Sequence, residues 1–186
     1  MATVEKLSLV QQLADLPNNG KAEIVNGKIV RISPTGFMPA YAAGEIYASL
    51  RDYARRTGSG IALGDNVGFL VDLPHRRSFS PDAAFFTGTL TGMKFLQGAP
   101  SFAVEVRSEG DYGPAAEESI AAKRRDYFAA GTLVVWDVDL LHEDVVSVYR
   151  QEAPNRAVVY RRGTLADAEP AVPGWRLAVN DLFLEP

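Results

Sequence analysis

Most of the chain consists of short apolar runs with the length and composition of β-strands, and two longer segments repeat apolar residues at helical spacing. The strongest local signal is the pair Asn26 and Gly27, which lies between the β-branched runs 22–25 and 28–32. Both central residues of a type I′ turn need positive φ, which Asn and Gly adopt readily. The sequence therefore predicts a β-hairpin near the start of the chain.

The apolar spacing and the end signals together predict three helices. A short helix over residues 3–16 ends where Pro17 begins a turn-rich stretch. A long helix runs from about 39 to 56, and another runs over 115–130 and is closed by Gly131 at its C′ position. The alternating faces of these segments indicate that they pack against a sheet.

The remaining apolar runs predict the strands of that sheet. Residues 61–86 have the pattern of strand, turn and strand, and the glycine-containing stretch 87–100 is typical of an irregular loop. Further strands are predicted at 101–107, 132–138, 145–150 and 157–161, of which 132–138 is expected to be fully apolar and buried. Strands 78–86, 101–107 and 132–138 with helix 115–130 would form a β-β-α-β unit. We predict one domain over residues 1–186, of the α/β (α+β) class.

The amino-acid composition limits the kinds of metal site and the cellular location that we expect for this chain. The chain has 186 residues and is 47% hydrophobic, which is enough for a core, and its net charge of −4 argues against a surface coated in positive charge. It has no cysteine and only two histidines, so a thiolate or histidine-rich zinc site is not expected, and a metal here would be bound by oxygen. No apolar stretch suits a signal peptide or a membrane span, so we expect a cytoplasmic protein with no membrane partner.

Two acidic residues stand in or beside apolar strands. Asp82 precedes one apolar run, and Glu105 lies inside another, where an unpaired charge would be costly unless it is compensated. The simplest compensation is Mg²⁺, with Mn²⁺ as a possible substitute, bound by both carboxylates and by the carbonyl of Val106. The alternatives are that Asp82 only begins a strand and that Glu105 pairs with an arginine such as Arg107.

Lys123 adds to this pattern. It lies on the stripe of its helix that is predicted to face the sheet, three residues after Ile120 and four before Tyr127. Its ammonium could orient or help to deprotonate an attacking water, or stabilise the negative charge that grows on a phosphate. It could equally be a lysine whose stem packs while its amine reaches solvent.

Several arginines are candidates for contacts with a phosphate backbone, which position a duplex without reading its sequence. The principal ones are Arg107, Arg124 and Arg76, and the others are Arg51, Arg55, Arg56, Arg77 and Arg125. A solvated surface is the ordinary explanation of such residues, and no aromatic residues are interleaved with them to stack single-stranded bases.

The order of motifs along nearly the whole chain resembles a bacterial family named "putative restriction endonuclease", a single-domain branch of the PD-(D/E)XK nuclease superfamily. Each motif is weak alone, but the ordered combination is fairly specific. The segments that carry the resemblance are 23–30, 33–36, 81–85, 103–106, Lys123 with 127–131, and 173–177.

The resemblance implies a restriction-endonuclease-like fold, in which helices flank a mixed central β-sheet and the hairpin is an N-terminal extension. It also implies a magnesium-dependent nuclease site at Asp82 and Glu105, with Lys123 as the lysine of the motif. Arg107 stands where the superfamily usually has that lysine.

The chain departs from the family in two places. The family often has a histidine near the start of the first long helix, where this chain has Glu45 as a possible substitute, and residues 108–111 lack the usual proline. Glu23 matches a family position on the hairpin, where it could be a third acidic ligand or, equally, a surface residue of an edge strand.

These observations lead to three hypotheses. The first is a Mg²⁺-dependent DNA endonuclease that works as a homodimer, since one active site per subunit would need two subunits to cut both strands together. The second is a nuclease-fold protein with weak or no catalysis that binds nucleic acid or a protein partner. The third is a hydrolase of another phosphodiester, such as RNA or a nucleotide.

Overall fold

The structure is a computed structural model, and it describes residues 8–17 and 20–184. Within these ranges there are three α-helices and thirteen short strands, together with a 3-10 helix near the C-terminal end. In chain order they are α1 (Leu9–Ala14), β1 (Ala22–Val25), β2 (Lys28–Arg31), α2 (Phe37–Thr57), β3 (Ile61–Leu63), β4 (Phe69–Leu70), β5 (Ser78–Phe79), β6 (Ala83–Phe86), β7 (Leu96–Gln97), β8 (Phe102–Val106), α3 (Pro114–Ala129), β9 (Val134–Asp139), β10 (Val145–Arg150), β11 (Ala153–Arg161), β12 (Leu165–Asp167), β13 (Arg176–Ala178) and the 3-10 helix Val179–Leu182.

A mixed sheet of six strands, in the order β11-β10-β9-β8-β6-β3, forms the centre of the fold. Only β8 and β9 run parallel, and the helix α3 connects them as a crossover. All other neighbours in this sheet are antiparallel. The predicted mixed central sheet is therefore confirmed.

Each face of the central sheet carries its own hydrophobic cluster. On one face, α2 and the C-terminal segment pack over Phe102, Val104 and Trp136. On the other face, α3 and the three-stranded sheet β5-β4-β7 pack over Ala103 and Val135. Successive residues of a strand point to opposite faces of the sheet, so every second side chain of β8 and β9 faces α3.

The N-terminal hairpin forms as predicted. Asn26 has φ 49° and Gly27 has φ 68°, as a type I′ turn requires. The hairpin is a separate two-stranded sheet, but it is tied to the rest of the fold, because the N–H of Arg77 donates to the carbonyl of Ile24 at 2.9 Å.

Three predicted elements differ in extent. The predicted strand 78–86 is two strands in different sheets, because Pro81 has no N–H to donate and interrupts the ladder before β6. The predicted loop 87–100 contains the strand β7, which runs parallel to β4. Residues 3–7 of the predicted first helix lie outside the described residues.

The C-terminal elements follow from the same packing. β12, β13 and the 3-10 helix were not predicted, since each is only three or four residues long. Together with the segment between β12 and β13, they cover the α2 face with apolar side chains such as Val172, Trp175 and Leu177. Among the described residues, none of the helices has the length and apolarity needed to cross a bilayer.

Candidate active site

Three carboxylates form a row across neighbouring strands on the α3 face of the central sheet. Glu105 on β8 is opposite Asp137 on β9. Ala83 is opposite Val104, so Asp82, one residue before β6, takes the place opposite Glu105. The alternation of β8 points Phe102, Val104 and Val106 into the other core, which leaves Glu105 facing α3.

Asp82 is fixed by the strand beside it. Its own N–H donates to the carbonyl of Val104 at 3.0 Å, and its Oδ2 accepts the N–H of Val106 at 2.8 Å. Its Oδ1 accepts a hydrogen bond from the ammonium of Lys21 at 2.6 Å. The aspartate therefore stands immediately before β6 and joins it to β8, with one oxygen held by a backbone N–H and the other by a cation.

Glu105 is held by two side chains of α3. Lys123 Nζ donates to Oε2 at 2.8 Å, and the hydroxyl of Tyr127 donates to Oε1 at 2.6 Å. Burial raises the pKa of Glu105 to about 7; the Lys123 ammonium opposes this rise, and the charges of Asp82 and Glu23 add to it. Burial of this carboxyl group therefore outweighs its contact with the Lys123 ammonium.

Glu23 on the hairpin is the second partner of Lys123. Its Oε1 lies 3.0 Å from Lys123 Nζ and accepts the N–H of Ser80 at 2.9 Å, while its Oε2 accepts a hydrogen bond from Arg76 at 2.5 Å. Burial would raise the pKa of Glu23, but Lys123, Arg76 and the Ser80 N–H outweigh it and lower the pKa below its ordinary value. Glu23 is thus a buried anion that links the hairpin to α3, and not a surface residue of an edge strand.

Arg76 continues the same network away from the cleft. Its Nε donates to Asp126 Oδ2 at 2.7 Å, and His75 Nε2 lies 2.7 Å from Asp126 Oδ1. Only 7% of Arg76 is exposed. The predicted contact of Arg76 with a phosphate is therefore not supported, because its guanidinium is buried between two carboxylates.

Arg107 is bound to the third carboxylate of the row. Its Nε and Nη2 donate to the two oxygens of Asp137 at 2.7 and 2.8 Å, and it also binds Glu117 of α3. The alternative in which Arg107 pairs with Glu105 is therefore wrong, since the two side chains bind different partners. Arg107 does line the cleft beside Glu105. Its contact with a phosphate therefore stays a prediction.

An open cleft of about 490 Å³ lies over the row of carboxylates. Asp82, Glu105, Val106, Lys21 and Lys123 line its floor. The rim carries small polar residues from the segment after the hairpin, the loop after β8 and α3, namely Ser33, Thr35, Ser108, Asp111 and Ser119. A phosphodiester could reach the carboxylates through this opening.

Two other predicted residues lie away from the cleft. Arg124 stacks on the ring of Tyr149, with its guanidinium carbon 3.6 Å from the ring centroid. Glu45 lies on α2, and no hydrogen bond or ion pair within the described residues joins it to Asp82 or Glu105. The predicted roles of Arg124 as a phosphate contact and of Glu45 as an acidic ligand are therefore not supported.

The donors at the cleft are compatible with a hard divalent cation. Asp82 and Glu105 supply carboxylate oxygens from adjacent strands, and Mg²⁺ needs only one or two protein carboxylates because water and substrate oxygens complete its shell. Among the described residues there is no cluster of three or more His, Cys, Asp or Glu side chains that could hold a metal. The fit therefore depends on these two carboxylates alone, with Glu23 engaged elsewhere.

Three residues that line the cleft or contact its carboxylates were not identified from the sequence as functional. Asp137 was overlooked because its strand was predicted to be fully apolar, although the carboxylate breaks that pattern. Tyr127 is typical of a core aromatic residue, and its hydroxyl contact with Glu105 depends on the tertiary packing. Lys21 carries no local signal, because its contact with Asp82 joins residues 61 positions apart.

Comparison with known families agrees with this geometry. The model of the Uma2 family, described as "Putative restriction endonuclease", matches residues 9–180. The chain belongs to the Uma2 family. This match includes β6, β8 and α3, which carry the site residues, and it confirms the resemblance seen in the motifs. No curated protein matches the chain.

A solved structure gives the same result for the fold of this Uma2 protein. The crystal structure of a protein from Anabaena variabilis, described as "a putative nuclease", is similar with a TM-score of 0.74 at 17% sequence identity. The similarity covers 96% of this chain and 98% of that one. The predicted restriction-endonuclease-like fold is confirmed, and membership of the Uma2 family supports a nuclease function.

Proposed function

We propose that the protein is a Mg²⁺-dependent DNA endonuclease whose metal is held by Asp82 and Glu105. The observation that carries the proposal is the convergence of these two carboxylates with Lys123 at the floor of one open cleft. The carbonyl of Val106, which follows Glu105 on β8 and also lines the cleft, is the proposed backbone ligand. Mn²⁺ would serve in the same place, because it prefers the same oxygen donors.

The bound cation would polarise a phosphoryl oxygen and lower the pKa of a water molecule. The remaining roles, which are to stabilise charge, orient water and position the ligands, belong to residues of the protein. Burial disfavours the charge of Lys123, but Glu105 and Glu23 outweigh burial and raise the pKa of its ammonium well above the ordinary value. Lys123 therefore stays protonated at neutral pH, so it stabilises growing negative charge or orients water and does not serve as the base.

Tyr127 and the backbone N–H of Val106 have positioning roles in this proposal. Burial raises the pKa of Tyr127 well above its ordinary value, and the charge of Glu105 adds to the rise. The neutral phenol donates to Glu105 Oε1 and fixes that carboxylate toward the cleft. Asp82 is fixed in the same way by the Val106 N–H, so both ligands are held before any cation binds.

Cleavage of different nucleic acids tests the substrate. We expect purified protein with Mg²⁺ or Mn²⁺ to nick supercoiled plasmid DNA, and excess RNA of matched length to leave the nicking rate unchanged. Chelation of the metal should stop the reaction. If RNA abolishes nicking and is itself cut faster than DNA, the third hypothesis of another phosphodiester substrate replaces this one.

A second candidate function is supported by the charges around the cleft. Arg76 is buried, Arg107 is bound by two carboxylates, and the net charge is −4, so neither of these arginines is free to hold a duplex. This arrangement favours a catalytically weak protein that binds nucleic acid or a protein partner. DNA retention without metal-dependent nicking, equal in wild type and Glu105→Gln, would establish it.

The pKa of Glu105 predicts how metal binding depends on pH. Because this pKa is raised to about 7, a metal must displace a proton from Glu105 at lower pH. The affinity for Mn²⁺ should therefore rise about tenfold between about pH 6 and pH 8 and then level off. Calorimetric titration at several pH values measures this, and a constant affinity over the range would contradict it.

Three further proposals accompany the main one. We propose a homodimer, because two subunits would be needed to cut both strands together. We propose a cytoplasmic location, which the lack of cysteine favours. We also propose that the chain forms one domain, because both hydrophobic clusters pack on the same central sheet.

A further inference from the structure

Lys21 is a second lysine at the floor of the cleft. It lies one residue before β1, and its carbonyl accepts the N–H of Ile32 at 2.9 Å, which extends the hairpin toward the central sheet. Only 11% of its side chain is exposed, and it lines the cleft together with Asp82 and Glu105. The hairpin therefore places the ammonium of Lys21 at the proposed metal site.

The ammonium of Lys21 is shared by two carboxylates. It lies 2.6 Å from Asp82 Oδ1 and also 2.6 Å from Asp65 Oδ1. Burial would lower the pKa of Lys21, but Asp82 and the hydrogen bond with Asp65 outweigh burial and keep the pKa above its ordinary value. Lys21 is thus a permanent cation at neutral pH, with an anion on either side.

The oxygen that Lys21 occupies is the one that a metal would need. Asp82 Oδ2 is already bound to the N–H of Val106, so Oδ1 is the oxygen of Asp82 that is not used to join the strands. A divalent cation at Oδ1 and an ammonium at 2.6 Å from the same atom would repel each other strongly. Metal binding at Oδ1 would therefore favour movement of Lys21 away from Asp82.

Asp65 provides a place for Lys21 to move to. Its side chain is 48% exposed, and a smaller cavity of about 170 Å³ lies between Asp65 and Asp82. Lys123 differs in this respect, because its second carboxylate, Glu23, is buried with 4% exposed and is also bound to Arg76. Of the two lysines, Lys21 is the one with a partner at the rim of the site.

We propose that Lys21 occupies the cation position at Asp82 in the metal-free protein, that a divalent metal displaces it, and that Asp65 then holds its ammonium where it can contact a phosphate of the substrate. This inference rests on the proposed metal site. It assigns Lys21 a role in setting metal affinity and makes Asp65 the residue that retains the displaced ammonium.

Metal binding without substrate tests the displacement. In Lys21→Met the apolar stem is kept and the competing charge is removed, so the affinity for Mn²⁺ should rise about tenfold. The free Mn²⁺ signal in electron paramagnetic resonance reports the bound fraction directly. Lys28→Met, which removes an exposed lysine from β2, is the matched control and should leave the affinity unchanged.

A double-mutant cycle shows whether Asp65 acts by retaining the displaced Lys21 ammonium or only by its own charge. Asp65→Asn should weaken Mn²⁺ binding, because Lys21 then has Asp82 as its only partner and competes more strongly. In the Lys21→Met background the same Asp65→Asn change should have little effect, because no ammonium is left to retain. An equal loss in both backgrounds would mean that Asp65 acts only by its charge, and would overturn the inference.

The outcomes distinguish this inference from the proposed function. If folded Lys21→Met binds Mn²⁺ no more tightly than wild type, while Glu105→Gln binds it less tightly, the metal site stands and the displacement is wrong. If wild type, Lys21→Met and Glu105→Gln all fail to bind Mn²⁺, the metal proposal fails, and the displacement fails with it. Circular dichroism of each variant verifies that it is folded.

Discussion

Glu105→Gln is expected to lower the rate of DNA cleavage by about a thousandfold while the protein stays folded. The substitution removes one of the two carboxylates that we propose hold the metal. The amide keeps the size of the side chain and can still accept from the Tyr127 hydroxyl, and Lys123 retains Glu23 as a partner. The measurement is the rate of Mg²⁺-dependent nicking of supercoiled plasmid, with circular dichroism as the check on folding.

A matched control for this variant is available on α3. Glu118 has an exposed side chain and pairs with Arg125 on the helix surface. Glu118→Gln should therefore cleave DNA at the wild-type rate. Undiminished cleavage by folded Glu105→Gln would show that Glu105 is not a metal ligand, and a comparable loss in Glu118→Gln would point to an effect of net charge.

Glu23→Ala is expected to lower the free energy of unfolding by about 3–5 kcal/mol, which is the cost of removing one partner from a buried charge network. Glu23 neutralises two cations, Lys123 and Arg76, and also accepts the N–H of Ser80. Without it, Arg76 keeps Asp126 and Lys123 keeps Glu105, but the buried Ser80 N–H and one nitrogen of Arg76 lose their acceptor. Urea unfolding followed by circular dichroism measures the change.

A surface pair supplies the comparison for Glu23→Ala. Glu143 lies 3.3 Å from Arg161, and both side chains are more than half exposed. Glu143→Ala should cost less than about 1 kcal/mol, because exposed ion pairs are screened by water. If Glu23→Ala is as stable as Glu143→Ala, the buried network does not hold the hairpin to α3.

The sequence predicts those parts of the fold that depend on local chemistry. The hairpin follows from Asn26 and Gly27, whose positive φ values are a property of those two residues. The helix α2 follows from apolar spacing and from Gly58, which ends it with φ 65°. Such signals are complete within a few positions of the chain, so they need no knowledge of the tertiary structure.

Elements that depend on distant partners were predicted less well. The break between β5 and β6 follows from Pro81, but the different sheets that the two halves join are set by tertiary pairing. β12 and β13 are three residues each and pair only with each other. No periodicity can be measured over so short a run, so these strands have no detectable pattern in the sequence.

The candidate site shows the same limit. Asp82, Glu105 and Lys123 could be selected from the sequence because each is a charge in an apolar context. Their partners Lys21, Glu23 and Tyr127 are brought in from the hairpin and from α3, and their contacts follow from the packing of whole elements. The roles expected of Arg76 and Arg124 were not supported for the same reason, since the sequence cannot show which surface an arginine faces.

Calorimetric titration of Mg²⁺ and Mn²⁺ into wild type and into the Asp82→Ala/Glu105→Ala double variant tests the central claim most directly. The metal site at the end of β8 predicts binding to the wild type and none to the double variant, with both proteins folded by circular dichroism. Equal binding by the two folded proteins, or none by either in the presence of a DNA duplex, would contradict the assignment of Asp82 and Glu105 as metal ligands.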